Sequence, residues 1–279
     1  MHSGLGNFLQ SNKVFWDTVT PLHIQSDCYR IKREQLLQRR PVIDKIALRQ
    51  LDDIRGKAVM QPLCHLGYDA LSLLMLGART VVGWDFNECA VGHAKDIAQE
   101  LELTQISFRV SGLNNFQHEI QGPFDAAFVS YGSLCWIPRL PDWFAALTPL
   151  LARGAELIIA DFHPMLFCWD FLQASQIVHG CFDDETKPIQ ISRYGSYAVP
   201  DHKERTISFN WNHDLSAIDS GLKRSGFEIV SLEEFPFLPD HNSFPNLSQG
   251  DDGLYRPSWR GPSIPLMFTL KAKYLGIQG

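Results

Sequence analysis

Long apolar runs are missing from this 279-residue sequence, in which no stretch approaches the roughly 18 residues that a membrane-spanning helix needs. The opening Met1-His2-Ser3-Gly4 lacks the basic-then-apolar pattern of a secretion signal, so a soluble, cytoplasmic protein without membrane partners is expected. An excess of positive charge is missing too. Twenty-five Lys and Arg face 31 Asp and Glu for a formal charge of −6, and the basic residues are scattered apart from the stretch Arg30–Arg40. Binding a phosphate backbone needs a concentrated basic face, which disfavours nucleic acid as a partner. The six cysteines, at 28, 64, 89, 135, 168 and 181, form no CxxC pair and sit mostly inside apolar patterns. Reduced structural thiols are expected from them, with no disulfide and no bound metal. Internal repeats and low-complexity segments are absent as well. What is there is 45% apolar and 20% charged, with 20 Gly and 16 Pro. These proportions fit neither a disordered, a collagen-like nor a coiled-coil chain, and leave a globular one of one large or two small domains.

Helical spacing dominates the first part. Residues 12–38 place Val14, Phe15, Val19, Leu22, Tyr29, Leu36 and Leu37 on helical intervals, with a break expected near Pro21. Residues 41–54 predict another helix, ended by Gly56. From residue 57 short apolar runs alternate with amphipathic stretches. Strands are predicted at Ala58–Leu63, Thr80–Trp84, Ile106–Val110, Phe124–Ser130 and Glu156–Ala160, with helices at Asp69–Leu76, Glu88–Leu101 and Pro141–Leu151 between them. Strands separated by helices imply a parallel sheet covered on both faces. The rhythm stops over 164–206, resumes with Ile207–Trp211, a helix at Leu215–Arg224 and strands at Phe227–Leu232 and Pro265–Lys271, and is interrupted again over 236–263. Loops this long are usually functional or disordered. The aromatic residues Phe237, Phe244, Tyr255 and Trp259 predict that the second one packs as a lid.

In such a sheet the ligand lies outside the carboxyl ends of the strands, so the residues just after each strand carry the function. The turn after the first strand reads Leu63-Cys64-His65-Leu66-Gly67-Tyr68-Asp69. A G-x-G-x-x-G fingerprint beginning at 63 would need glycine at 63, 65 and 68, and meets Leu, His and Tyr, which argues against NAD or FAD. Gly67 remains at the entry to the helix. Asp85 ends the second strand 18 residues later, close to the separation between a nucleotide-binding turn and the acid that accepts ribose hydroxyls. A tight turn followed by a solvated carboxylate would read the same way.

Segment 56–86 resembles the motif I and motif II region of class I S-adenosylmethionine-dependent methyltransferases, within them a branch with a Cys-His-x-Gly-x-Asp turn. The resemblance continues through Phe124-Asp125, Ser130-Tyr131-Gly132, Trp136-Ile137-Pro138, Asp161-Phe162-His163-Pro164 and Trp211-Asn212-His213. It implies a Rossmann-like, doubly wound seven-stranded sheet, mostly parallel with an antiparallel last strand. It further implies an N-terminal helical cap over residues 1–55 and a methyltransferase domain over 56–279, with insertions at about 164–206 and 236–263. The implied activity is methyl transfer from S-adenosylmethionine to an O, N or S atom of a small molecule. Carried over by residue, Cys64, His65 and Gly67 line the methionine part, Asp85 binds the ribose and Phe86 flanks the adenine. Leu113 and Asn114 hold the base edge, and Ser130 lies near the amino-acid end. The chain departs from the family pattern at Gln61 in place of an acid, at Leu63 and His65 in place of glycines, and at Gly112 in place of an acid.

The chemistry asks little else of the protein. A sulfonium carries an electrophilic methyl group, so alignment of a nucleophile and exclusion of water suffice. His163 and His213 follow strands and are the candidates for a general base, or else they cap a helix or bond a loop carbonyl. Asp161 either orients His163 or caps the strand end. Tyr131, Trp136, Trp169 and Trp211 are the candidate substrate walls, with core packing as the alternative for each; Tyr29, also a candidate substrate contact, and His23 either close over the pocket from the N-terminal helices or belong to a helix packed on the sheet rim. A non-catalytic binding protein of the same fold is the competing reading, and the sequence leaves a homodimer open.

Overall fold

The structure, a computed structural model, describes residues 3–276 apart from 52, 114–115, 170–175, 183, 185, 240–243, 245 and 259–262. Its centre is a seven-stranded sheet of β1 (Ala58–Pro62), β2 (Thr80–Asp85), β3 (Ile106–Val110), β4 (Phe124–Val129), β5 (Leu151–Phe162), β8 (Phe227–Phe235) and β11 (Met267–Tyr274), in the order β3-β2-β1-β4-β5-β11-β8. Strands β1 to β5 pair in parallel, whereas β11 runs antiparallel to both β5 and β8. The apolar runs of the central strands are continuous because both faces are buried. Successive side chains point to opposite faces. Val59 and Phe128 join Leu71 of α4 (Tyr68–Met75) and Ala94 and Ile97 of α5 (Glu88–Glu100). Met60 and Ala127 join Phe144 of α6 (Leu140–Leu147) and Leu222 of α8 (Leu215–Arg224) on the other side. Full burial of each such large apolar side chain stabilises by about 1.5–3 kcal/mol.

Three helices precede the sheet: α1 (Ser3–Gln25), α2 (Asp27–Leu37) and α3 (Lys45–Gln50). The expected break at Pro21 does not occur. Pro21 lies inside α1, where buried Phe15 and Val19 anchor the helix, and the chain turns at Ser26 instead, whose hydroxyl donates to the His23 carbonyl. The helix expected over 41–54 contracts to the short α3, begun by Asp44, whose carboxylate accepts the N–H groups of Ile46 and Ala47.

The interrupted stretches fold over the sheet. β6 (Ile189–Tyr194) and β7 (Arg205–Asn210) form an antiparallel pair, and α1 is fastened to it. The Asn12 amide donates to the Phe209 carbonyl at 2.8 Å and accepts the Phe209 N–H at 2.7 Å, completing an outer hydrogen-bonding position of β7. β9 (Leu247–Gln249) and β10 (Tyr255–Pro257) make a second small pair, and Phe237 and Phe244 pack with Leu166 and Met267 in a satellite cluster. Trp259 lies outside the described residues. α7 (Pro164–Cys168) leaves β5 and ends at a disulfide between Cys168 and Cys181. This corrects the expectation of reduced thiols throughout: the two sulfurs are brought together by the turn of the chain after α7, which the apolar setting of either residue alone conceals. Cys28, Cys64, Cys89 and Cys135 are free. Among the described residues no helix is long and apolar enough to cross a membrane.

Candidate active site

The strand order reverses between β1 and β4, and a crevice opens there at the carboxyl edge. The turn leaving β1 alternates left-handed backbone conformations, with φ of +52° at Leu63, +47° at His65 and +74° at Gly67. Leu63 and His65 thus adopt the conformation of the glycines they replace, at roughly 1–2 kcal/mol per residue. Asp85 holds the turn in place. One carboxylate oxygen accepts the His65 N–H at 2.8 Å and the other the Asn87 N–H at 2.9 Å. Burial raises the Asp85 carboxyl to about 6, against the lowering effect of these N–H groups. Gly67 serves the packing. A Cβ there would come within 2.7 Å of the Ala94 Cβ and of the Phe108 ring, so glycine lets α4 approach α5 and β3.

Asp85 faces a cavity of about 450 Å³. Its floor is the β1 turn, Phe86, and Ser130 and Tyr131 after β4; α1 adds Phe15 and Trp16, and β6 adds Ile191 and Arg193. Phe15 stacks on Trp136 at 5.7 Å, and Trp16 meets the same indole edge-on at 5.1 Å. Tyr29 of α2 links the two sides. Its hydroxyl is 2.5 Å from that of Tyr197 and 3.4 Å from His65 Nδ1. Burial keeps His65 well below the usual imidazole range, with further lowering by His23, His93 and Lys32, so the ring is neutral. Burial also pushes the Cys64 thiol up, and Asp85 adds to that effect. At the end of β1 the Gln61 amide donates to the Ser130 hydroxyl at 3.1 Å, while its buried carbonyl oxygen has no partner among the described residues. Asp69 is raised by burial, opposed by the charge of Lys32 and a hydrogen bond with Ser130.

These features test the site for an adenosyl amino acid. The volume falls within the roughly 300–1,000 Å³ of ligand pockets. The Asp85 carboxylate accepts backbone N–H groups of His65, Phe86 and Asn87, and its roughly four lone-pair sites leave room for a ribose hydroxyl. Gln61 stands outside the lining, where its amide N–H holds the Ser130 hydroxyl that does face the cavity. The residues fit the group.

No protein-family model and no curated protein matches the sequence. Solved structures do match its fold. S-adenosylmethionine-dependent methyltransferases from Clostridium acetobutylicum (TM-score 0.57, 12% identity, covering 90% of this chain and 100% of that one), Mesorhizobium loti (0.54, 16%, 82% and 95%) and Methanosarcina mazei (0.53, 17%, 84% and 98%) superpose on it. The chain has the methyltransferase fold.

On this methyltransferase fold, the cavity gathers Cys64, His65, Asp85, Phe86, Ser130, Tyr29, Tyr131 and Trp136 of the residues singled out in the sequence. Others lie elsewhere. Gly67 is in the α4 packing, Leu113 is half-buried in the turn after β3 outside the cavity lining, and Asn114 is outside the described residues. Trp211 is buried next to β7, edge-on to Phe8, with its backbone N–H donated to the Cys135 carbonyl. His163 caps α7, accepting the Met165 N–H at Nδ1, and its Nε2 lies 2.8 Å from a Glu234 carboxylate oxygen. His213 is bonded through Nε2 to the Ile137 carbonyl at 2.7 Å. Trp169 bridges to Ile177, and His23 bonds the Ser196 hydroxyl. The expectation that His163 or His213 reaches the pocket is therefore corrected: ring nitrogens of both are occupied by the scaffold. Asp161 does not orient His163. Its carboxylate collects the N–H groups of Gly132, Ser133, Leu134 and Phe162, shaping the loop that carries Tyr131 and Trp136. Sequence reasoning missed Phe15, Trp16, Lys32, Asp44, Asp69, Arg193 and Tyr197 as lining residues. Asp69 stood in the resembling turn; Arg193 and Tyr197 had no signal, since they lie in the stretch without a regular pattern.

Proposed function

We propose that this chain is an S-adenosylmethionine-dependent methyltransferase acting on a small molecule. The observation that carries the reading is the buried Asp85 carboxylate at the end of β2, facing an enclosed cavity at the switch point of the sheet. Asp85 would accept the ribose hydroxyls, Phe86 would flank the adenine, and Ser130, held by Gln61, would receive the amino-acid end. When bound, the cofactor supplies an electrophilic methyl group on sulfur. The remaining work falls to the walls. Trp16, Tyr131 and Trp136 orient the acceptor and keep water out, and their ring faces favour a cationic centre by about 0.5–2 kcal/mol. With His163 and His213 assigned to the scaffold, acceleration rests on positioning. The enclosure by α1 and the β6–β7 pair supports an acceptor of metabolite size over a macromolecule.

Calorimetric titration with S-adenosylmethionine and S-adenosylhomocysteine tests the cofactor, and incubation with a methyl-labelled donor and a metabolite panel tests the transfer. Binding of both compounds, with label passing to a small molecule, is expected. No binding of either at millimolar concentration contradicts the proposal; binding without transfer across the panel would favour the non-catalytic reading.

A further inference from the structure

Arg193 lines the cavity, and among the described residues no carboxylate is paired with it. It is on the inward row of β6 with Ile189 and Ile191, it is half-buried, and its Nε is closed to solvent with no hydrogen-bond partner among the described residues. No carboxylate of the described residues acts on it; burial lowers its pKa and Tyr197 is the titratable group that opposes this. An Nε–H closed to solvent without a partner has lost water uncompensated, a loss that an anion in the cavity would offset. Beside it, His23 is held neutral, lowered to about 3 chiefly by burial and then by Arg193 itself, so the ring adds no second charge.

The acids of the cavity are elsewhere. Asp85 and Asp69 belong to the wall proposed for the cofactor, with Lys32 acting on Asp69, and Asp44, the third acid of the lining, meets Tyr131. Between Arg193 and Asp85 stands the row Tyr197, Tyr29 and His65, joined by the contacts at 2.5 and 3.4 Å, with the His65 N–H on Asp85. The guanidinium therefore faces the acceptor side. A planar guanidinium suits one carboxylate, and Lys32, the other cation of the lining, lies over the Tyr29 ring at 5.9 Å and acts on Asp69. The aromatic pair Trp16 and Trp136 supplies flat apolar surface in the same cavity.

Resting on the methyltransferase reading, we infer that Arg193 is the binding residue for the carboxylate of the acceptor, and that the substrates are small aromatic carboxylic acids. A planar guanidinium pairs with a carboxylate through two parallel N–H donors. The alternative source of the same group is the carboxylate of the cofactor itself.

The test titrates benzoate, 4-hydroxybenzoate and indole-3-acetate, each beside its amide, into the wild type, Arg193→Gln and Arg193→Lys, following tryptophan fluorescence. S-adenosylhomocysteine and 5′-methylthioadenosine, which lacks the carboxylate, are titrated in parallel. At least one acid is expected to bind the wild type about tenfold or more tightly than its amide. The preference should vanish in Arg193→Gln and survive in part in Arg193→Lys, with S-adenosylhomocysteine affinity unchanged in both. The inference is overturned if no acid is preferred over its amide, or if the preference persists in Arg193→Gln. It is overturned equally if Arg193→Gln loses S-adenosylhomocysteine but keeps methylthioadenosine, which would place the cofactor carboxylate on Arg193. Failure of the wild type to bind S-adenosylhomocysteine removes the methyltransferase reading instead, and the acid-over-amide comparison still decides the role of Arg193.

Discussion

Asp85 fixes the β1 turn through the His65 N–H, and on the proposed function the same carboxylate would also receive the ribose. Its acidity makes that binding dependent on pH. With the carboxyl raised to about 6 by burial, the group is protonated below that value and a neutral carboxyl is a poorer acceptor for two hydroxyls. Cofactor affinity measured by calorimetry should be flat above about pH 6 and fall by up to about tenfold per unit below it; Asp85→Asn should weaken binding by about 1–3 kcal/mol and flatten the profile. His65 gives a second residue-scale test. At φ +47° a β-carbon is strained, so His65→Gly should be more stable to urea than His65→Ala by about 1 kcal/mol, the reverse of the usual order. Equal midpoints for the two variants would show that the turn relaxes. The same residue explains what was hidden in the sequence. The missing glycines at 63 and 65 argued only against a dinucleotide turn, and the fold around Asp85 imposes the glycine conformation on the larger residues. Asp85 itself was legible, because its position after a strand is a matter of local order.

At the scale of elements, the alternation from β1 to β5 was readable because each strand is a continuous apolar run and each intervening helix has one apolar face. β7 was legible as the run Ile207–Trp211, but its partner β6 was not. Its inward row reads Ile189, Ile191, Arg193, and the buried cation breaks the apolar alternation that marks a strand. Nor could Pro21 show that α1 continues, since contacts far along the chain at Phe15 and Val19 hold the helix. Two side chains tie these elements together. Asp161 receives four backbone N–H groups, so Asp161→Ala should leave buried donors unpaired and lower stability by about 3 kcal/mol or more by denaturation, with altered fluorescence from the loop bearing Trp136. Asn12→Ala should orphan the Phe209 N–H and carbonyl together, at about 2–4 kcal/mol, and speed hydrogen exchange in β6 and β7. Unchanged exchange there would mean that α1 does not fasten the pair.

For the whole molecule, the cap, the sheet and the β6–β7 pair of one chain enclose one cavity. The resemblance carried the sheet order; local patterns supplied strands and helices without their neighbours. The Cys168–Cys181 bridge shows the same limit, because pairing depends on where the chain returns after α7. It closes a loop with a sequence separation of 13 residues, for which the chain-entropy estimate is about 3 kcal/mol. Alkylation of the unfolded, unreduced protein followed by mass measurement should label four thiols, and six after reduction; six at the outset would contradict the bridge. The account as a whole rests on what the cavity holds, and a crystal structure of the protein with S-adenosylhomocysteine reads that directly. Density running from Ser130 to Phe86, with both ribose hydroxyls on the Asp85 carboxylate, is the predicted result. A complex with the ligand bound away from this cavity, or crystals in which the cavity takes up none of it at saturating concentration, would contradict it.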